Sequence, residues 1–186
     1  MLTTDQVIRA TGASADNVNQ VWPLVQQALQ DWDIFTPNTE IAAAATIGVE
    51  TPNFWPVREK YASNMPATDY FTKMYWNNAN VRHMLGNLSP KDAYTYFGRG
   101  LVQITGRDNY DLYGSLCHLE LLAQPDLALD PKNAADILAA FFSRTHIQQV
   151  ADAGDWRRVR IRVNVGLRGW DQFAQIARSL GAHVVG

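Results

Sequence analysis

The stretch Ile41 to Val49, IAAAATIGV, carries one polar side chain, Thr46, and runs straight into a carboxylate, Glu50. Read as an oily helix over 40–50 that Thr39 and Glu40 start, it ends near Glu50, because the residue before Pro52 is pushed out of the α region. A second carboxylate, Glu59, follows nine residues later in PVREK, beyond a proline and the aromatic and amide positions of NFW. Any fold of this chain has to bury the first segment and find a place for the two acids.

With 186 residues, 47% of them hydrophobic and 18% charged, the chain is long enough for one good core, and a single domain over 1–186 is expected. The net charge of −2 argues against a nucleic-acid partner. The one cysteine, Cys117, allows no intramolecular disulfide, which fits synthesis in a reducing cytoplasm. The N-terminus, MLTTDQVIRATG, lacks the basic and apolar regions of a signal peptide, and no apolar run reaches the length of a membrane span. Neither export by signal peptide nor membrane insertion is therefore expected. The four histidines are dispersed without HExxH or Cys/His spacing, and neither GxSxG nor a P-loop occurs, so no metal and no cofactor is expected.

The pattern along the chain is mostly helical. Thr3 or Thr4 caps DQVIRA, and Pro23 opens a helix whose Leu24, Val25, Ala28, Leu29 and Trp32 share a face. Helical fragments are expected near 68–76 and 80–85, then over 108–117, over an Asn133-capped run from 133 to 151, over 155–164, and over 169–180 closed by Gly181. Between them, YTYFGRGLVQITG alternates Leu101, Gln103 and Thr105 against Val102 and Ile104, which predicts a short strand after a Gly-Arg-Gly turn.

Glu50 at the negative end of an apolar helix is set by desolvation and the dipole to hold its proton, as a general acid must. Glu59, between Arg58 and Lys60 in a polar turn, is set to stay charged. An acid and a base so divided are the arrangement of glycoside hydrolysis, although REK also reads as a plain solvated charge run. Asn53, Trp55, Trp76, Tyr94, Tyr96, Phe97, Gln103, Asn109 and Tyr110 offer flat apolar faces and amides that suit sugar rings, or simply a core. The segment 156–170, WRRVRIRVNVGLRGW, holds five arginines and no acid, and reads either as a face salt-bridged to Asp152, Asp155 and Asp171 or as a surface for an anionic polymer.

In order, ATIGVETPNF, YFGRGLVQITGRDNY, QPDLALDPKNAADILAAFF and RIRVNVGLRGW resemble glycoside hydrolase family 19. The opening MLTTDQVIRATGAS and FWPVREKYAS resemble its phage and bacterial endolysin branch. The resemblance implies an α+β, predominantly α-helical, lysozyme-like fold in two lobes with a small β region. It implies that Glu50 is the general acid, that Glu59 activates water, and that Thr105 helps hold that water. It also implies a sugar cleft with Asn53, Tyr96, Arg99, Gln103, Asn109, Tyr110 and Asn164 as substrate-binding candidates. The sequence departs from the family where Val49 replaces the usual histidine before the acid and where RVNVG replaces NGG. The expected activity is hydrolysis of the peptidoglycan glycan by a monomer that accumulates in the host cytoplasm and reaches the wall with a holin-type partner. The alternatives are a chitinase and an inactive glycan-binding or virion module.

Overall fold

A computed structural model of the chain describes residues 1–51, 53–61 and 64–184. Helix α1 (Thr4–Thr11) starts on the expected cap. Thr3 and Gln6 exchange side-chain and backbone hydrogen bonds in a capping box. Pro23 does not open the second helix; α2 (Ala15–Asp31) runs through it. A mid-helix proline forfeits one backbone hydrogen bond, but Val18, Val21, Trp22, Val25 and Leu29 share one fully buried face, and that burial outweighs the loss.

Helix α3 (Pro37–Glu50) is the axis of the molecule and ends at Glu50 as predicted; Pro52, the expected stop, lies outside the described residues. It starts three residues before the predicted point. Thr36 is the cap, accepting from the Thr39 amide at 3.0 Å, and Pro37 occupies the first turn. Ala42 to Ala45 and Ile47 have no exposed surface, and α1, α2, α9, α10 and α11 all pack on this helix. A helix without a polar face is stable only when covered this way. Gly48 lets α11 in: a Cβ there would stand 2.8 Å from Ile176 Cδ1 and 3.1 Å from Thr11 Cγ2. Glu40, 1% exposed, is a structural acid. Its carboxylate accepts from the Leu2 amide and from Gln26 Nε2, tying the N-terminus to α3.

The rest of the helical body is α7 (Arg107–Cys117), a 3₁₀ turn (Pro125–Leu129), α8 (Pro131–Arg144), α9 (Ile147–Asp152), α10 (Trp156–Val163) and α11 (Trp170–Ser179). The long run predicted from Asn133 is two helices. Asp130, not Asn133, caps α8, accepting from the amides of Lys132 and Asn133 at 3.0 Å. The break falls where His146 takes a left-handed conformation, φ 53°. Arg162 donates to the carbonyls of Thr145 and His146 that the break leaves open.

A smaller group contains α4 (Ala67–Tyr75), α5 (Ala79–Met84), α6 (Pro90–Thr95) and a hairpin. The hairpin pairs β1 (Val57–Arg58) with β2 (Arg99–Gly100), antiparallel, Val57 opposite Gly100. The strand expected over 101–105 is not there: Leu101 to Gln103 form a turn, and Ile104 folds back to bridge Arg99. The alternation of Leu101, Gln103 and Thr105 is therefore not a polar strand face. The architecture is α+β and mostly helical, as expected of a lysozyme-like fold, with the hairpin placed between the end of α3 and the start of α7.

Candidate active site

Glu50 ends α3 with its side chain 19% exposed, and one oxygen accepts from Arg160 Nη1 at 2.6 Å. Arg160 is 1% exposed and reaches across from α10, and its other nitrogens donate to the Arg168 carbonyl. A buried cation therefore faces the carboxyl group at the end of α3. The sequence signal for Arg160 was present but weak: it lies four residues after Trp156 and three before Val163, on the buried face of its helix. The 164–169 turn packs against the end of α3, where a Cβ on Gly169 would come within 2.6 Å of Val49 Cγ1.

Glu59 follows β1 and is half-buried, not in the solvated turn expected of REK. One carboxylate oxygen accepts from Tyr75 Oη at 2.6 Å and the other from the Gly98 amide at 3.1 Å. The Glu59 amide in turn donates to the Gly98 carbonyl at 2.8 Å. A side chain at 98 would press on both Gln103 and Glu59. A Cβ would stand 2.9 Å from Gln103 Oε1 and 3.1 Å from Glu59 Oε2. Tyr75 belongs to a stack: its ring lies parallel to Phe71, whose ring lies 4.4 Å from Phe97, and Phe97 carries the Arg99 guanidinium at 3.9 Å. A cavity of about 150 Å³ opens beside Glu59, lined by Arg58, Tyr61, Phe71, Tyr94 and Phe97.

Thr105, just before α7, donates its hydroxyl hydrogen to the Gln103 carbonyl at 3.0 Å, which leaves its oxygen lone pairs to accept. Gln103, left-handed at φ 55°, spends its amide nitrogen on the Val57 and Gly100 carbonyls and so pins the hairpin. Asn109 donates to the Thr105 carbonyl at 2.7 Å and holds that segment against the first turn of α7. Asn164 caps the end of α10 and accepts from the Gly166 amide. Asn53 is exposed, and its carbonyl accepts from Asn17 at 2.7 Å.

Three expected sugar contacts are core residues. Tyr110 has no exposed surface and donates to the Phe97 carbonyl at 2.7 Å; burial pushes its phenol up to about 12. Tyr96 is 9% exposed and donates to the Leu122 carbonyl. Arg99, 6% exposed, is consumed by Asp126, by the carbonyls of Thr95 and Phe97, and by Tyr110. These aromatic and guanidinium groups are spent on hydrogen bonds that hold the hairpin and its neighbours in place. The arginine-rich segment is not salt-bridged to Asp152, Asp155 or Asp171 in the described residues: Arg160 is its one ion-paired member, and Arg157, Arg158 and Arg168 are exposed. Among the described residues no cluster of three or more His, Cys, Asp or Glu is placed to hold a metal ion.

No family model matches the chain. In sequence it is 30% identical over 105 residues to a glycosyl hydrolase family 19 domain-containing protein of Haemophilus influenzae, a match covering 55% of this chain and about half, 50%, of that protein's length. In structure it superposes on a bacterial family 19 chitinase with a TM-score of 0.67 at 18% identity, covering 99% of this chain and 97% of the other. Chitinase C from Streptomyces griseus gives a TM-score of 0.67 at 19% identity, over 97% of this chain and 76% of that one. The chain thus has the fold of the family 19 chitinases, and over about half its length its sequence is similar to a glycosyl hydrolase family 19 domain-containing protein.

Proposed function

We propose that the protein is a glycoside hydrolase that cleaves the β-1,4 glycan backbone of peptidoglycan with inversion. The observation that carries the chemistry is the unequal hold on two carboxylates: a buried guanidinium grips Glu50, while a phenol and a backbone amide grip Glu59. Glu50 gives its proton to the glycosidic oxygen. The carboxylate left behind is the species Arg160 binds best, so charge that develops in the transition state meets a cation already in place. Glu59 draws a proton from the attacking water. The second hydrogen stays on the water and is donated as a hydrogen bond to Thr105, whose oxygen accepts because its own hydrogen is committed to Gln103, and the water's lone pair is left to attack the anomeric carbon.

The polymer is argued from charge. Arg157, Arg158 and Arg168 stand exposed on the segment whose Arg160 clamps Glu50, and the guanidinium fork suits the free carboxylates of peptide stems. Chitin carries no such groups. The fold favours chitin as the second reading, since both superposed structures are chitinases. Host lysis, with cytoplasmic accumulation and a holin-type partner, follows from the endolysin-like motifs as part of the same proposal. The test pairs purified peptidoglycan with chitin oligomers. Reducing ends should appear from peptidoglycan with peptide stems intact, far fewer from chitin, and none from Glu50→Gln on either. Efficient cleavage of chitin and none of peptidoglycan would overturn the polymer assignment; full activity of Glu50→Gln would overturn the chemistry.

A further inference from the structure

Tyr75 is the one side chain that donates to Glu59 among the described hydrogen bonds, and nothing in the sequence motifs points to it. Its phenol is raised by burial first and then by the hydrogen bond and the charge of Glu59, so it keeps its hydrogen as a donor throughout the working pH range. Its place is fixed at both ends. The ring lies parallel to Phe71, and the Tyr75 carbonyl accepts from Asn87 Nδ2 at 3.1 Å. With the Gly98 amide on the opposite oxygen, the Glu59 carboxylate has one fixed plane and one lone pair left on each oxygen.

We infer that Tyr75 is a positioning residue for the water-activating step, holding the Glu59 carboxylate in the orientation from which it accepts a proton. The inference rests on the reading of Glu59 as the base. Loss of the phenol would free the carboxylate to rotate about its last bond, leaving it held by the Gly98 amide alone. Tyr110 on α7 also feels the charge of Glu59, and Arg58 and Lys60 flank Glu59 in the chain. Arg58 and Arg99 are spent on Asp126, so neither takes over from Tyr75.

Tyr75→Phe keeps the stack and removes only the hydroxyl. Measured on peptidoglycan glycan, its kcat should fall roughly ten- to a hundredfold, the range of a hydrogen bond to a charged group, with KM changed less than about twofold. Replacing Tyr75 with 4-aminophenylalanine, which restores a donor, should return kcat toward wild type, a recovery that a purely packing role would not give. If Tyr75→Phe unfolds, the 4-aminophenylalanine variant decides alone: a kcat near wild type supports the inference, and a roughly hundredfold loss overturns it. An unchanged kcat in Tyr75→Phe, with Glu59→Gln inactive, would overturn the role of Tyr75 alone. Wild-type activity of Glu59→Gln would overturn the base assignment and this inference with it.

Discussion

Replacing Arg160 with methionine should damage the protein in a way that depends on Glu50. The guanidinium is 1% exposed and Glu50 19% exposed, so the variant leaves a mostly buried carboxylate unpaired and the Arg168 carbonyl without its donors. Breaking a buried pair costs about 3–5 kcal/mol, and the partial access of water to Glu50 places this case at the lower end, about 3 kcal/mol. Roughly 1 kcal/mol of that belongs to the orphaned carbonyl, which no change at Glu50 repairs. In a Glu50→Gln background the same replacement should therefore cost only about 1 kcal/mol, a coupling of about 2 kcal/mol. For a chain of this size 1 kcal/mol moves the melting temperature by roughly 2–4 °C, so Arg160→Met alone should lower it by on the order of 10 °C. Urea denaturation of the four proteins of the cycle measures the coupling. Equal costs in both backgrounds, within about 0.5 kcal/mol, would refute the claim that the ion pair, and not packing, is what Arg160 supplies.

Thr105→Ala should lower kcat by about tenfold, equivalent to roughly 1.4 kcal/mol, and leave KM nearly unchanged, because the hydroxyl acts on water and not on sugar; a rise in KM alone would make it a binding residue. Burial works against ionisation of Asp126, but hydrogen bonds and charge from Arg58 and Arg99 prevail and hold its carboxyl below the ordinary 3.8. Its contribution to stability is then full above the unfolded value of about 4 and is lost as pH falls through the lowered folded value. Asp126→Asn should flatten that acid limb in a stability titration, and an unchanged limb would refute the clamp. Cleavage of peptidoglycan should weaken as salt shortens the Debye length toward and below about 8 Å, and Arg157→Glu with Arg168→Glu should remove most of that dependence; a salt-insensitive wild type would leave these arginines without a role in recognition.

The parts of the fold set by local chemistry were legible. The Thr3 box, the end of α3 at Glu50 and the span of α7 all follow from caps and periodicity within a turn or two. Pro23 misled because a local breaker lost to a buried face that continues on both sides of it, and Asn133 misled because Asp130 with Pro131 is the stronger start. Helix α6 was missed although Ser89 and Asp92 form a capping box with Pro90 in the first turn, since six residues leave no periodicity to read. In the site, the sequence located the two glutamates but not what holds them. Arg160 is 110 residues from Glu50, and Tyr75 is 16 from Glu59. Such partners are fixed by how α10 and α4 pack, which no spacing rule encodes. The aromatic residues failed for a related reason: Tyr96 and Tyr110 have the composition of a sugar platform, and only burial distinguishes a platform from a core.

The account turns on one water delivered by Glu59 to the face of the sugar opposite the proton of Glu50. Proton NMR of the first products released from a β-1,4 glycan in deuterated water, taken before mutarotation, reads that geometry directly. Inversion gives the α-anomer at the new reducing end, which is the outcome of a water activated by Glu59 on the face opposite the proton of Glu50. A β-anomer would mean a covalent intermediate, and would contradict the division of labour between the two carboxylates.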